Sequence, residues 1–118
     1  MLRIEHLVKD YSGGVRALDD VSLEVHDGEF VVLIGLSGSG KSTLLRCINR
    51  LIEPSSGRIT LDDEDITAAR TADLRRIRRS IGMIFQQFNL VRRSTVLTNV
   101  LTGRLGYVSQ WQDRKSVV

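Results

Sequence analysis

The chain has 118 residues, 42% hydrophobic and 26% charged, with ten Gly, one Pro and a single Cys. Its longest apolar run, residues 30–35, falls far short of the ~20 residues that cross a bilayer. One thiol closes no internal disulfide and makes no zinc site by itself, so a reducing, cytoplasmic setting is expected, and the net charge of +3 permits an anionic partner without requiring one.

Apolar and polar side chains partly alternate over residues 2–8, and Val21, Leu23 and Val25 repeat the pattern. Both stretches read as half-buried strands of an antiparallel layer. Asp27-Gly28 is a turn signal, and the continuously apolar residues 30–34 predict a central strand covered on both faces. Leu44, Leu45, Ile48, Leu51 and Ile52 then recur at helical spacing until Glu53-Pro54 stops the helix, with Cys47 on its inner face as a buried, inert thiol. Residues 58–61 predict a short strand and residues 62–65 a surface turn.

Thr71 can cap a helix through Arg79 whose Leu74 and Ile77 face inward. Residues 81–85 predict a further apolar strand that runs into Gln86-Gln87, and Thr95 can cap a last helix with Val96, Leu97, Val100 and Leu101 on its inner face. Arg70, Arg75, Arg76, Arg78, Arg79, Arg92 and Arg93 crowd into one third of the chain. No aromatic residues interleave with them to stack on bases, so the cluster reads as a solvated or protein-contacting face and not as a nucleic-acid site. His6 and His26 have no partner pattern.

The chemistry lies between the apolar strand and the first helix. Residues 35–43 read Gly35, Leu36, Ser37, Gly38, Ser39, Gly40, Lys41, Ser42, Thr43 and fit the pattern G-x-x-x-x-G-K-[ST]. A strand leading in and a helix leading out would aim the backbone N–H groups of residues 38–43 at a phosphate from a helix N-terminus, where the macrodipole also favours negative charge. Lys41 would set its ammonium between β- and γ-phosphates, and the Ser42 hydroxyl would coordinate Mg²⁺. A Gly/Ser linker would not sit between a buried strand and a helix.

P-loops serve many functions, so the flanking residues decide. Tyr11 follows the first strand and precedes Ser12-Gly13-Gly14-Val15-Arg16-Ala17-Leu18. Asp20-Val21-Ser22-Leu23-Glu24-Val25 leads to the Gly28-Glu29 turn, and Ser55-Ser56-Gly57-Arg58-Ile59 is followed by Ile81-Gly82-Met83-Ile84-Phe85-Gln86 and Phe88-Asn89-Leu90. In this order the sequence resembles the ATP-binding subunits of ABC transporters, from Leu2 to about Gln112.

The resemblance implies an α/β fold, the P-loop NTPase core of an ABC nucleotide-binding domain with an antiparallel β layer. It also implies ATP and Mg²⁺ as ligands, Tyr11 as the A-loop aromatic that stacks on adenine, residues 35–43 as the Walker A loop, and Gln86 as the Q-loop glutamine near Mg²⁺ and the attacking water. Lys41 and Gln86 would then be the catalytic groups present, with Ser42 and Gln86 at the metal. The implied partners are transmembrane permease subunits, a second ATP-binding subunit in a homodimer and, indirectly, a periplasmic or extracellular solute-binding protein. The implied location is the inner face of the cell membrane. Residues 88–91 and 95–107 look most like ATP-binding subunits of phosphonate importers; polar amino-acid and methionine importers share much of residues 86–90, and ABC proteins without a transport role are a further alternative.

The family continues to a signature Leu-Ser-Gly-Gly-Gln, a Walker B aspartate, a catalytic glutamate and a switch histidine, and none of these appears in the sequence. Residues 1–112 are therefore expected to be the N-terminal half of a nucleotide-binding domain, not hydrolytic by themselves. Residues 113–118 depart from the family pattern. They are what GAT CGG AAG AGC GTC GTG encodes, the read-through of a sequencing adapter, and are expected to be a non-native tail.

Overall fold

A computed structural model describes residues 1–87, 89–104 and 107. The chain divides into two compact units, Met1–Leu74 and Arg75–Val118. The expected tail at residues 113–118, together with Phe88, Leu105, Gly106 and Trp111 of the family-like stretches, lies outside the described residues.

The first unit is built on an antiparallel sheet of β1 (Leu2–Tyr11), β2 (Val15–Val25), β3 (Ser56–Leu61) and β4 (Glu64–Asp65), in the order β2-β1-β3-β4. The expected antiparallel layer is present, and its second strand starts six residues earlier than the alternation alone shows, because the glycine turn at Gly13 (φ +94°) and Gly14 (φ +79°) brings Val15 directly opposite Tyr11. Ile4 pairs with Leu23 on one side and Ile59 on the other, and Ile4, Leu7, Leu18 and Ile59 are buried. Each fully buried side chain of this kind stabilises the fold by about 1.5–3 kcal/mol.

The register is interrupted. β1 bulges against β3 between Glu5 and Val8, and Gly57 (φ +94°) crosses the bulge so closely that a Cβ there would lie 2.5 Å from the His6 carbonyl oxygen. His6 itself is left-handed at φ 49°, with its N–H donating to Ser22 Oγ at 3.0 Å and its ring Nδ1 2.7 Å from Asp20 Oδ1. The turn expected over residues 62–65 is a tight hairpin: Asp62 and Asp63 both have positive φ, as a two-residue turn between right-twisted strands requires, so Glu64 and Asp65 pair back onto β3.

Helix α1 (Lys41–Ile48) packs against β2 and buries Leu44 and Cys47. It ends four residues before the periodicity does, because Arg50 turns left-handed (φ 51°) and leaves Leu51 half exposed. Arg50 then spans the loop beyond, donating from Nη1 to the carbonyls of Ile66 (3.0 Å) and Ala69 (2.7 Å) and pairing with Glu53. Burial pushes the Cys47 thiol pKa up, as expected of an inert thiol.

Four expectations need correction. Residues 30–34 form no ladder with any described strand, and Phe30 and Ile34 are 91% and 92% exposed, since no described segment pairs with them or covers them. Residues 81–85 are likewise unpaired, with Ile84 exposed. Helix α2 (Thr71–Arg78) buries Leu74 and Ile77 as predicted, but its first helical bond runs from Leu74 N–H to the Arg70 carbonyl, which puts Arg70 and not Thr71 at the cap. Helix α3 (Val96–Thr102) is capped as predicted by Thr95, whose Oγ1 accepts from Thr98 N–H at 3.2 Å. Its expected inner face, Val96, Leu97, Val100 and Leu101, is nevertheless exposed.

Candidate nucleotide site

The loop that carries the phosphate-binding pattern leaves residues 30–34, turns through a bond from Ser39 N–H to the Leu36 carbonyl (3.2 Å), and enters α1 at Gly40, whose carbonyl accepts the first helical bond from Leu44 N–H at 2.8 Å. Two left-handed glycines make the turn, Gly38 (φ +82°) and Gly40 (φ +88°). The N–H groups of Lys41, Ser42 and Thr43 precede the first helical donor, Leu44, and no side chain caps them. They form the positive end of the helix dipole and can bind an anion.

Lys41 Nζ donates to the carbonyls of Gly35 (2.6 Å) and Leu36 (2.7 Å) and to Ser39 Oγ (3.1 Å). The lysine thus closes the loop on itself with its own charge, and a polyanion would offer that ammonium stronger acceptors than neutral carbonyls.

The sheet brings Tyr11 to the same place. Its hydroxyl lies 3.4 Å from Thr43 Oγ1 in the first turn of α1, and its ring is partly exposed. An open cleft of about 450 Å³ runs from Tyr11 past Val15, Arg16 and Ala17 to the loop at residues 37–43. That volume is within the range of small-ligand sites. All ten expected nucleotide ligands lie in one unit: Tyr11, Lys41, Ser42, Thr43 and the loop at Ser37, Gly38, Ser39 and Gly40 line the cleft, and Gly35 is joined to it through Lys41. Leu36 is joined in the same way through its carbonyl, with its side chain exposed. Gln86 belongs to the second unit, where it lies exposed at a bend.

Sequence reasoning missed the residues that hold Tyr11. Arg16 is the register partner of Asp10, one rung from the Tyr11/Val15 pair, and it grips Asp10 with Nε (2.8 Å) and Nη2 (3.2 Å) while Nη1 reaches Asp19 (3.0 Å). This guanidinium holds the Asp10 carboxyl below the usual carboxylate range. Asp10 N–H also donates to Ser55 Oγ at 2.9 Å, tying the strand end to the loop after α1. Lys9 places its ammonium over the Tyr11 ring, 5.1 Å from the centroid. The i, i+2 spacing of Lys9 and Tyr11 on a strand was the available signal for that contact.

Comparison with known proteins agrees with this geometry. The family model described as ABC transporter matches residues 18–117. The phosphonates import ATP-binding protein PhnC 2 of Synechococcus sp. (strain JA-2-3B'a(2-13)) is 60% identical over 113 residues, 96% of this chain and 42% of that protein. The phosphonates import ATP-binding protein PhnC of Lactobacillus johnsonii is 55% identical over 112 residues, 95% of this chain and 44% of that protein. The chain thus spans less than half the length of these relatives.

Among solved structures, the dimeric post-hydrolysis state of an ATP-binding cassette bound to ADP and Pi superposes with a TM-score of 0.79 at 37% identity, over 98% of this chain and 53% of that one. The cbiO1 protein of Clostridium perfringens, part of the ABC transporter complex cbiONQ, gives a TM-score of 0.72 at 34% identity, over 97% of this chain and 46% of its own. The fold is that of an ABC cassette, of which the chain covers about half, and the chain belongs to the ABC transporter family.

Proposed function

We propose that this chain is the N-terminal half of the ATP-binding subunit of an ABC importer that couples ATP hydrolysis to uptake of a phosphonate. The observation that carries the reading is the convergence of Tyr11, Lys41 and the uncapped first turn of α1 on one cleft. Tyr11 offers a flat face to adenine. The N–H groups of residues 41–43 and the Lys41 ammonium take the β- and γ-phosphates.

The residues present fit Mg-ATP. Gly40 lets the loop lie against the Ala17 carbonyl with no side chain between, and Gly38 leaves open space on the cleft side. Among the described residues no three His, Cys, Asp or Glu side chains come together to hold a metal, so Mg²⁺ would rest on the Ser42 hydroxyl and on the nucleotide's own oxygens, the mode usual for this ion. Gln86, carried by the second unit, is assigned to the metal and the attacking water by the family resemblance. The general base and the residues of the opposing subunit belong to the remainder of the parent protein, so nucleotide contact without hydrolysis is the most this chain would retain by itself.

In the parent, the partners are a permease pair, a second copy of the cassette and, through the permease, a solute-binding protein. The site of action is the cytoplasmic face of the membrane. No helix among the described residues is long and apolar enough to cross a membrane, which is consistent with attachment through a permease. The phosphonate assignment draws on relatives named for phosphonate import.

Recovering the gene beyond residue 112 and measuring ATP binding by the full-length protein tests the reading. Lys41→Ala removes charge-assisted bonds worth about 1.5–3 kcal/mol each, so ATP affinity should fall by one to two orders of magnitude. An unchanged affinity would remove the assignment. Neighbouring permease and solute-binding genes would identify the solute.

A further inference from the structure

Lys9 is a charged side chain that the nucleotide site does not account for. It stands two residues before Tyr11 on β1, hence on the same side of the strand, and its ammonium is 5.1 Å from the centre of the Tyr11 ring. That distance is within the ~6 Å over which a cation is attracted to a ring face. Among the described residues no carboxylate stands at ion-pair distance from Lys9, so the ring is the partner the fold gives it.

Three observations give the contact a direction. Tyr11 lines the nucleotide cleft and Lys9 is not among the residues that line it. The tip of the ring is held at Thr43 Oγ1, on the first turn of the phosphate-binding helix. Its backbone is fixed by the Asp10–Arg16 rung next to it. The ring is thus tied at its tip and its base, with a cation against it and the cleft beside it.

We propose that Lys9 is a positioning residue of the nucleotide site, acting through Tyr11, that presents one face of the ring to an electron-rich purine and so sets the base-dependent part of the affinity. A cation behind the ring draws π-density away from the open face, which lowers its repulsion with a stacked purine, and it keeps a base from stacking on the wrong side. The proposal rests on the nucleotide-site reading above.

The test compares ATP with inorganic tripolyphosphate, which carries the phosphates without a base, on the full-length protein. Lys9→Met keeps the stem and removes the charge, Lys9→Gln is a second neutral variant, and Lys9→Arg keeps a cation. Both neutral variants should weaken ATP about two- to fivefold and leave tripolyphosphate unchanged, while the arginine variant keeps most of the wild-type ratio. In a Tyr11→Ala background, Lys9→Met should have no further effect on ATP. Unchanged ATP affinity in both neutral variants overturns the proposal; so does an equal loss for tripolyphosphate, or an undiminished loss in the Tyr11→Ala background. A wild-type protein that binds neither ATP nor tripolyphosphate overturns the site reading itself, and the role of Lys9 with it.

Discussion

Gly40 and Ala17 meet with no room for a side chain: a Cβ on Gly40 would lie 2.4 Å from the Ala17 carbonyl oxygen and 3.2 Å from Leu18 Cδ2. The phosphate-binding loop is therefore seated on the backbone of β2, and the glycine is required by that seat as well as by its φ of +88°. Gly38 has a similar φ of +82° but nothing within 4 Å of its Cβ position. Gly38→Ala should cost about 1–2 kcal/mol for the left-handed backbone alone. Gly40→Ala should add an overpacking cost of about 1–3 kcal/mol. Thermal unfolding of both variants of the full-length protein checks this, and equal losses would contradict the seat.

Tyr11→Ala should weaken ATP binding by about 1 kcal/mol of lost stacking and leave inorganic triphosphate unaffected, since the latter has no ring. Isothermal titration with both ligands measures the split. A parallel loss for the two would move Tyr11 out of base recognition and make it a support for Thr43.

The α-amine of Met1 lies 2.7 Å from Asp27 Oδ1 and 2.5 Å from Asp62 Oδ1, joining the start of β1 to the turns that follow β2 and β3. Its hydrogen bonds to Asp27 and Asp62 raise the amine from 8.0 to about 10. A raised cation contributes stability that is complete below the unfolded value of 8.0 and disappears as pH rises through about 10. The wild-type full-length protein should therefore lose more stability across that window than its Asp27→Asn/Asp62→Asn variant. Parallel profiles of unfolding midpoint against pH would count against the link. Asp27 is held below its ordinary 3.8 by the same amine, so its share is present above that value and is lost on acidification below it.

Residues 1–118 produced alone should be insoluble or molten, with weak ATP binding or none. Phe30 (91%), Ile34 (92%) and Ile84 (100%) expose large apolar side chains, and unpaired apolar backbone is a template for aggregation. Size-exclusion chromatography and calorimetry decide the matter. A monomer with one sharp transition that rises with Mg-ATP would establish an independently folding nucleotide domain.

What could be read from the sequence is what depends on local order. The phosphate loop carries its own glycines, the Thr95 cap is a short-range bond to Thr98, and the burial of Leu74 and Ile77 follows from helical period. Residues 30–34 were read as strand from their composition, but a strand is defined by its neighbours, and none of the described segments supplies one. The clamp of Asp10 by Arg16 was not legible for a different reason. It depends on which residues face each other across β1 and β2, and the bulges near Ile4, Leu7 and Lys9 shift that register in ways no alternation shows.

The strand order has a consequence for the sequence of events in folding. The β1–β2 hairpin closes over a three-residue glycine turn, whereas β3 reaches β1 only after 30 residues of loop and helix have been enclosed between Val25 and Ser56. Short closures cost less entropy and come first. Tyr11 and its clamp should then be assembled before the phosphate loop is drawn in beside them. Gly57 can seat over the His6 bulge only in the later step, when β3 joins β1. Pulse-labelled hydrogen exchange should find β1 and β2 protected earlier than residues 56–61.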